Sequence, residues 1–420
     1  MTFRVHEGVL HAGQVSLADI AAAVGTPTYV YSSEVIAAQY AALQAAFPGA
    51  AICYAVKANS NLGVLRFVHG LGAGFDIVSS GELQRVLAAG AEPGTAVFSG
   101  VGKSVAEIDL ALKLGIGCFN VESEAELHRL ATQAELLQGV APVAVRVNPD
   151  VDADTHPYIA TGLKENKFGV SAEEALELYA LAGRHPYLEV KGIACHIGSQ
   201  IDSPGPYLEA LDRLLEISGE LDCAGVRIEH IDVGGGFGIA YGGERALDVA
   251  ALGTAVTERM AGRPQRLLIE PGRFLTASAG VLLTRIEYLK QSRSAGQRSF
   301  VVVDAAMNDL LRPALYGAWH AVERVDAPSA GSVAGTWDVV GPVCETGDFL
   351  ARDRELTVAA GDLLAVRTAG AYGMALSSNY NSRGRPAEVL VEDGAFRVVR
   401  HREHIGDQLS LERPSAEREQ

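Results

Sequence analysis

Eight short apolar runs recur between residues 51 and 269, and their lengths are typical of strands buried in a parallel sheet. They lie at 51–56, 75–78, 96–98, 117–121, 143–147, 193–197, 228–233 and 267–269. Segments with helical spacing of apolar residues separate them, at 81–87, 105–114, 124–136, 172–182, 206–221 and 247–260. Eight strands alternating with helices predict a (β/α)8 barrel of the TIM type, with a doubly wound open sheet as the alternative on pattern alone.

The pattern changes after residue 275, where short strand-like runs alternate with Gly, Pro and Asp turns and few helices. These runs lie at 281–289, 299–303, 336–340, 355–358, 363–368 and 387–390. Near the N-terminus, 8–15 is strand-like, 16–24 has helical spacing, and 25–27 is a break. We therefore predict a barrel over 28–275 and an all-β domain from 1–27 and 276–420, in which an N-terminal strand joins a C-terminal β-barrel or sandwich. The polar tail 412–420 is expected to be frayed.

The composition and charge of the chain limit the kinds of molecule that it is expected to bind and the compartment in which it is expected to work. The chain has 420 residues and a formal charge of −16, which argues against binding nucleic acid or an anionic membrane. No apolar run approaches the roughly 20 residues that span a bilayer, and the first residues lack the pattern of a signal peptide. The five cysteines are widely spaced without a CxxC pair, which argues against a disulfide framework or structural zinc site and predicts a reducing cytoplasm.

Lys57 directly follows the apolar run 51–56. A buried strand end removes water from an ammonium group, which favours the neutral, nucleophilic amine. Such an amine is suited to a Schiff base, above all with pyridoxal phosphate. On this stretch alone, a lysine that turns out to solvent is the more common alternative.

Polar residues follow strand after strand at the same end. They are Lys57, Asp76 with the segment 79–82, and the segments 146–149, 195–200, 232–238 and 270–273. The C-terminal ends of the strands carry the active site in barrels of this kind. The sequence therefore predicts a site at this end of the barrel.

The glycine run 234–238 follows the seventh strand, where these barrels usually bind phosphate through backbone N–H groups. It matches neither GxGxxG nor a Walker A loop, and a ligand-free tight turn is the alternative. Ser199 and the Gly272-Arg273 turn are expected to complete the cradle. The motif Gly100-Val101-Gly102-Lys103-Ser104 lacks the first Walker glycine, because Val97 stands there, so we exclude a nucleotide loop.

Glu270 follows the eighth strand and is expected either to pair with Arg273 or to face a cationic ligand atom. A protonated pyridine nitrogen is such an atom, and holding it protonated makes the ring an electron sink. His196 is either a satisfied core histidine or a flat ring that stacks on a cofactor.

Three polar clusters stand out in the β domain: 304–316 with Arg312 and Tyr316, the segment 344–348, and 370–373 with Tyr372. Arginine suits bidentate carboxylate recognition and glutamate suits an ammonium group. Turns and surface salt bridges are the alternative for each cluster.

With these residues in view, the chain resembles the fold-type III pyridoxal-phosphate decarboxylases, and within them the diaminopimelate decarboxylases. The motifs that carry the resemblance span residues 54 to 381 in family order. They are Tyr54-Ala55-Val56-Lys57-Ala58-Asn59, the segment 75–83, Lys167-Phe168-Gly169, His196-Ile197-Gly198-Ser199-Gln200, the segment 232–238, Glu270-Pro271-Gly272-Arg273, Cys344-Glu345-Thr346-Gly347-Asp348 and Gly370-Ala371-Tyr372.

The resemblance implies pyridoxal 5'-phosphate as cofactor and decarboxylation of meso-2,6-diaminopimelate to L-lysine, the last step of lysine biosynthesis. Lys57 would hold the cofactor, His196 would stack on its ring and Glu270 would pair with the ring nitrogen. The phosphate or its neighbourhood would be surrounded by Ser199, Gly235, Gly236, Arg273 and Tyr372, and Asp76 and Gly272 would also bind the cofactor. Cys344 would donate a proton to the substrate carbon, and its cluster would come from the partner of a homodimer with two shared sites.

The resemblance also implies how the substrate is chosen. Its distal end carries a carboxylate for Arg273, Arg312 and Tyr316 and an ammonium group for Glu345, and Tyr372 would also contact the substrate. The alternatives left open are a related decarboxylase acting on ornithine, arginine, carboxynorspermidine or a carrier-bound aminoacyl group, an amino-acid racemase, and a non-catalytic relative that keeps the fold. The Cys344 motif and the Glu270 partner argue against a racemase, and joint retention of Lys57, His196, Glu270, Arg273 and Cys344 argues against lost activity.

Overall fold

A computed structural model describes residues 3–152, 167–294, 296–329 and 331–412. The described chain forms two compact units. One contains residues 37–240 and 245–275, and we call it the barrel unit. The other contains the described residues up to Ile36, the segment Tyr241–Glu244, and the described residues from Thr276 on, and we call it the β unit. No helix in the described ranges is both long and apolar enough to cross a membrane.

The β unit begins with a small antiparallel sheet of three strands, a helix and a fourth strand. These elements are β1 (Arg4–His6), β2 (Val9–Ala12), β3 (Val15–Ser16), α1 (Leu17–Val24) and β4 (Thr28–Ser32). Ser16 caps α1 by accepting a hydrogen bond from the Asp19 N–H, which satisfies a donor left open by the first helical turn.

The barrel unit contains eight strands that pair only in parallel and close on themselves, which confirms the predicted barrel. The strands are β5 (Ala51–Ala55), β6 (Gly74–Ile77), β7 (Ala96–Phe98), β8 (Cys118–Val121), β9 (Ala141–Arg146), β10 (Leu188–Ala194), β11 (His230–Asp232) and β12 (Arg266–Ile269). Apolar side chains from five of them, Cys53, Val97, Cys118, Ala144 and Leu268, pack as one buried cluster. The barrel therefore encloses a packed core rather than a channel.

Helices alternate with these strands, and serine caps place several of their N-termini. The helices are α2 (Ser33–Ala46), α3 (Leu62–Gly70), α4 (Ser80–Ala88), α5 (Val105–Leu114), α6 (Glu124–Leu136), α7 (Ala172–Ala182), α8 (Gly205–Cys223), α9 (Val249–Met260) and α10 (Arg273–Thr276). Ser79, Ser104, Ser123 and Ser171 each accept a hydrogen bond from the backbone N–H of a glutamate three residues on. This Ser-x-x-Glu spacing is a sequence-level signal for a helix start, and it ends each preceding loop.

The rest of the β unit completes a mixed nine-stranded sheet that includes β4. Its elements are β13 (Gly280–Lys290), β14 (Phe300–Val303), α11 (Arg312–Tyr316), β15 (Val322–Arg324), β16 (Val333–Val340), β17 (Phe349–Val358), β18 (Leu363–Val366), β19 (Ala387–Glu392), β20 (Ala395–Arg400) and α12 (Ile405–Glu412). The main order is β17-β16-β14-β13-β4-β19-β20, with β18 pairing β13 and β15. All six strand-like runs predicted after residue 275 are strands, and β15, β20, α11 and α12 were not predicted.

The N-terminal segment differs from the expectation. Residues 4–16 form their own three-stranded sheet, and the strand that enters the large sheet is β4, between β13 and β19. The predicted barrel range 28–275 therefore includes a strand of the β unit. Thr28–Ser32 is buried along its whole length, as a central strand of a covered sheet must be, and its apolar pattern alone does not tell which sheet receives it. The predicted tail 412–420 begins at the last residue of α12, and its remaining residues lie outside the described ranges.

Candidate active site

Lys57 lies just past strand β5, in a single 3-10 turn over Val56–Ala58. Its Nζ donates a hydrogen bond to Oδ2 of Asp76 at 2.7 Å, within an ion pair. Asp76 lies on the adjacent strand β6 and its side chain is fully buried, whereas 37% of the Lys57 side chain is exposed. The loss of hydration expected for Lys57 is therefore partial, and the buried carboxylate instead stabilises the charged amine. The lysine remains reachable from outside the barrel.

Asp76 belongs to a group of three buried carboxyl groups at the C-terminal ends of the strands, together with Asp232 and Glu270. The Asp232 and Glu270 carboxyl groups interact electrostatically. Burial raises the pKa of both carboxyl groups, and the negative charge of Asp232 raises the pKa of Glu270 further. Oε1 of Glu270 has no hydrogen-bond partner among the described residues. The group is therefore suited to accept a proton or to face a cation.

His196 follows strand β10 and is partly buried. The Gly235 N–H donates a hydrogen bond to its Nδ1 at 3.2 Å, so the proton of the neutral ring resides on Nε2. Burial lowers the pKa of His196 well below its ordinary value, and the positive charges of Arg146 and Lys57 lower it further. The histidine is therefore a neutral, flat ring whose orientation is set by the glycine run.

Ser199 and Arg273 are brought together, with Nη2 of Arg273 donating a hydrogen bond to Oγ of Ser199 at 3.0 Å. Gly236 has φ +91°, and a Cβ there would lie 2.2 Å from the backbone oxygen of Gly198, so glycine is required. Within the described ranges, no group accepts a hydrogen bond from the Gly236 N–H. Gly272 follows β12, and a Cβ there would lie about 3.0 Å from the Cβ of Ala58. Hydroxyl, guanidinium and backbone N–H donors thus lie in loops suited to an anion.

A buried charge network that the sequence interpretation missed ties the neighbouring loops together. Lys103 donates hydrogen bonds to the backbone oxygens of Gly100 and Asn120, both at 2.8 Å, and to Oε1 of Glu126 at 2.6 Å. Glu122 accepts hydrogen bonds from the Gly100 N–H and from Arg146, at 3.0 and 3.1 Å. The lysine of the excluded nucleotide motif thus has a structural role. Glu126 is the member of this network that has a local signal in the sequence, because it belongs to the Ser-x-x-Glu spacing at 123–126.

In the β unit, Arg312 is buried and held in place by two rings. Its Nη1 donates to Nε2 of His320 at 2.9 Å, and its guanidinium lies 4.2 Å from the centroid of the Tyr241 ring. His320 in turn donates from Nδ1 to the backbone oxygen of Arg367 at 2.8 Å. Tyr316 ends the same short helix, α11. Tyr241 and His320 carried no motif, so the sequence did not predict this support for Arg312.

Cys344 and Glu345 lie in an exposed turn of the β unit. The Cys344 N–H donates a hydrogen bond to Oδ1 of Asn381 at 2.8 Å, and the Tyr380 hydroxyl donates to Oε2 of Glu345 at 3.2 Å. Tyr372 has φ +55°, a left-handed conformation uncommon for a tyrosine. The predicted site residues thus divide between the units: Lys57, Asp76, His196, Ser199, Gly235, Gly236, Glu270, Gly272 and Arg273 lie in the barrel unit, and Arg312, Tyr316, Cys344, Glu345 and Tyr372 lie in the β unit.

The residues of the barrel unit fit pyridoxal phosphate. The buried Glu270 Oε1, which lacks a hydrogen-bond partner among the described residues, matches a protonated ring nitrogen. The Ser199–Arg273 pair and the Gly236 N–H match a phosphate group. Lys57 supplies a reachable amine beside a buried carboxylate.

The family described as "Pyridoxal-dependent decarboxylase, pyridoxal binding domain" matches residues 33–277, which span the barrel. Fold, site and this match together define a pyridoxal-phosphate-dependent decarboxylase. Diaminopimelate decarboxylase of Pseudomonas aeruginosa is 54% identical over 96% of this chain and 97% of its own length. That of Vibrio cholerae is 51% identical over 97% of both chains. The chain belongs to the diaminopimelate decarboxylase family.

A solved structure agrees with this membership. Diaminopimelate decarboxylase from Helicobacter pylori, in complex with L-lysine, superposes with a TM-score of 0.90 at 42% identity, covering 94% of this chain and 98% of its own. A lysine/ornithine decarboxylase from Vibrio vulnificus superposes with a TM-score of 0.78 at 23% identity, which is a likeness of fold alone.

Proposed function

We propose that this protein decarboxylates one amino-acid centre of meso-2,6-diaminopimelate with pyridoxal 5'-phosphate, producing L-lysine and CO2 in the last step of lysine biosynthesis. One observation carries the proposal: relatives named for this activity match nearly the whole chain at up to 54% identity. The group formed by Lys57, Asp76 and Glu270 in the barrel provides the chemistry that such a cofactor needs.

Lys57 would hold the cofactor through its amine and, once released, would remain beside Asp76 as a charged group. Ser199, Arg273 and Gly236 would bind the phosphate, and Gly272 allows its loop to pack closely against Ala55 and Ala58, beside Lys57. Gly235 would act through His196, because its N–H already donates to Nδ1 of that histidine. The neutral His196 ring would lie against the cofactor ring, since a charged imidazolium would repel a protonated pyridine.

When bound, the cofactor supplies an electron sink for the electron pair that the departing CO2 leaves behind. Glu270 would hold a proton on the ring nitrogen, because a buried carboxylate gains much from a cationic partner. The negative charge of Asp232 would also favour that proton, because it interacts electrostatically with Glu270.

The distal end of the substrate carries a carboxylate and an ammonium group. Arg312 would bind the carboxylate with Tyr316, and Arg273 and Tyr372 would lie near it. The two rings around Arg312 support this role, because they hold the guanidinium fork in one orientation and reduce the entropy lost on binding. Glu345 would accept the ammonium group.

Cys344 would return a proton to the substrate carbon, and the turn that carries it would act on the barrel of a second copy of the chain. We therefore propose a homodimer with two shared sites, working in the cytoplasm. The exposure of Cys344 and Glu345 supports a role at a surface between copies. The cysteines at positions 53, 118, 195, 223 and 344 are all free thiols, as a reducing compartment permits.

Subunit mixing tests the shared site. Lys57→Ala and Cys344→Ala proteins, each inactive alone, would be mixed under conditions that allow exchange. Random pairing would make half of the dimers mixed, and each mixed dimer would regain one of its two sites, so about a quarter of the wild-type activity should return. No recovery, with exchange demonstrated by mass spectrometry, would contradict the shared site.

The substrate is tested by offering meso-diaminopimelate, ornithine and arginine separately to the pyridoxal-phosphate-loaded protein, following CO2 and the amine product. We expect L-lysine from diaminopimelate alone. Release of CO2 from ornithine or arginine would still support the role proposed for Lys57. It would refute the assignment of Arg312 to the distal carboxylate.

A further inference from the structure

The short turn Tyr380–Ser382 is unusual because two consecutive residues that are not glycine adopt the left-handed conformation. Asn381 has φ +57° and ψ +28°, and Ser382 has φ +56°. Left-handed backbone costs free energy for residues with a Cβ, and asparagine tolerates it better than most. Such conformations persist only where surrounding contacts determine them. Contacts with neighbouring residues must therefore hold this turn in its left-handed conformation.

The flanks of this turn are anchored to the segment that follows strand β14. The Ser378 N–H donates to the backbone oxygen of Asn308 at 2.9 Å, and Nε of Arg383 donates to Oδ1 of Asn308 at 3.2 Å. Nη2 of Arg383 also donates to the backbone oxygen of Asp304. The position of the turn relative to 304–308 is thus determined from both sides.

The Cys344 turn is anchored to the same segment through Asp348. Oδ1 of this buried aspartate accepts a hydrogen bond from the Met307 N–H at 2.7 Å, and Oδ2 accepts one from the Val343 N–H at 2.9 Å. The 304–308 segment is therefore a common support for both turns. Between Val343 and Asp348 the cysteine itself is exposed, and the hydrogen bonds of Asp348 do not include its backbone.

The Cys344 N–H instead donates its hydrogen bond to Oδ1 of Asn381 at 2.8 Å. We propose that Asn381 is a positioning residue for Cys344: its left-handed backbone aims the amide oxygen at the Cys344 N–H, which fixes the direction in which the thiol leaves the backbone. The adjacent Tyr380 hydroxyl contacts Glu345, so one turn holds both residues of the Cys344-Glu345 pair. The importance of this positioning for turnover rests on the proposed function.

Three substitutions separate the hydrogen bond from the backbone conformation. Asn381→Gly permits the left-handed conformation and removes the acceptor. Asn381→Asp keeps both an acceptor oxygen and tolerance of the conformation. Ser382→Gly adds the same backbone freedom one residue away and leaves the Asn381 side chain intact, so it is the matched control.

The measurement is the alkylation rate of Cys344 by iodoacetamide in the pyridoxal-phosphate-loaded protein, resolved by peptide mass spectrometry. Cys223, which is also exposed and lies at the end of α8 in the barrel unit, is the internal reference. Asn381→Gly should raise the Cys344-to-Cys223 ratio by about fivefold, which is the equivalent of one ordinary hydrogen bond. Ser382→Gly should leave the ratio near the wild-type value. Asn381→Asp should not raise it, because aspartate keeps an acceptor oxygen for the Cys344 N–H.

An unchanged ratio in Asn381→Gly would overturn the proposal, as would an equal rise in Ser382→Gly. Turnover then tests the dependence on the proposed function. We expect kcat to fall in Asn381→Gly with little change in KM, and Asn381→Asp to restore it. A raised ratio with wild-type kcat would support the positioning of Cys344 by Asn381 and would refute the proposed proton donation by Cys344.

Discussion

The two units of this protein hold their candidate site residues in different ways. In the barrel unit, Asp76, Asp232 and Glu270 are buried at the ends of parallel strands, and their carboxyl groups interact with one another and with Lys57. In the β unit, Cys344 and Glu345 lie in an exposed turn, and contacts with the 380–382 turn help to hold them. Buried charges at strand ends are costly and rigid, whereas exposed turns leave side chains accessible to another molecule.

The two units would therefore supply different kinds of site residue. The barrel residues concentrate charge where a cofactor would neutralise it, and the surrounding loops are tied by the Glu122 and Lys103 network. In the proposed homodimer, the residues of the exposed turn would contribute to a site that the partner completes. Arg312 is the exception in the β unit, because it is buried and supported by rings as firmly as the barrel residues are.

The largest effect should come from removing the amine in the barrel. Lys57→Ala should lower decarboxylation by a factor on the order of 10³ or more and abolish the visible absorption of the bound cofactor, because no other described group plays its part. Lys113→Ala, at an exposed lysine paired with Asp109, is the control and should behave as wild type. Unchanged absorption and turnover in Lys57→Ala would refute the assignment of the barrel site.

A second effect should come from neutralising the buried carboxyl group. Glu270→Gln removes the negative partner proposed for the ring nitrogen and should lower kcat by roughly 10²- to 10³-fold, with cofactor binding largely retained. Steady-state kinetics and a cofactor titration measure the two separately. The exposed Glu258 on α9 provides the control substitution Glu258→Gln. If kcat stays at the wild-type value, Glu270 has only a structural role.

The β unit is tested by Arg312→Lys, which keeps the charge and removes the planar fork. KM for meso-diaminopimelate should rise on the order of 10- to 100-fold, with a smaller change in kcat, because a charge-assisted hydrogen bond to the distal carboxylate is lost. Arg397→Lys, on the exposed strand β20, is the control. An unchanged KM in a variant with wild-type thermal stability would remove Arg312 from substrate recognition.

The smallest effect is a pH dependence of stability in the barrel unit. Burial raises the pKa of Glu82 to about 7 from an ordinary value of 4.5, and the hydrogen bond from the Val78 N–H offsets part of this rise. Because the folded-state pKa is raised, its contribution to stability is fully present below about pH 4.5 and is lost as the pH rises through about 7.

Glu82→Gln should therefore reduce the fall in melting temperature between pH 5 and pH 8 by a few degrees relative to wild type. The exposed Glu135→Gln is the control and should keep the wild-type dependence. Parallel curves for wild type and Glu82→Gln would contradict the raised pKa of this carboxyl group.

The sequence alone was sufficient to predict the eight barrel strands. A strand buried on both faces is marked by a short, mainly apolar run, so most of these strands are visible from their own residues even where a polar residue such as Asp76 or Asp232 interrupts the run. The Ser-x-x-Glu spacings likewise mark helix starts at Ser79, Ser104, Ser123 and Ser171. Because parallel strands end at the same face, the order of polar residues after them also predicted which barrel residues would gather.

The tertiary structure decided the contacts between residues far apart in the chain. The buried run Thr28–Ser32 fits a barrel strand as well as a strand of the β unit, and only its pairing with β13 and β19 assigns it. The electrostatic interaction between Asp232 and Glu270, the rings around Arg312 and the contact of Asn381 with Cys344 have no local pattern. A pattern in the sequence arises when a residue is buried or hydrogen-bonded by residues close to it in the chain. The groups named above have partners that are far away in the chain and come into contact only when it folds.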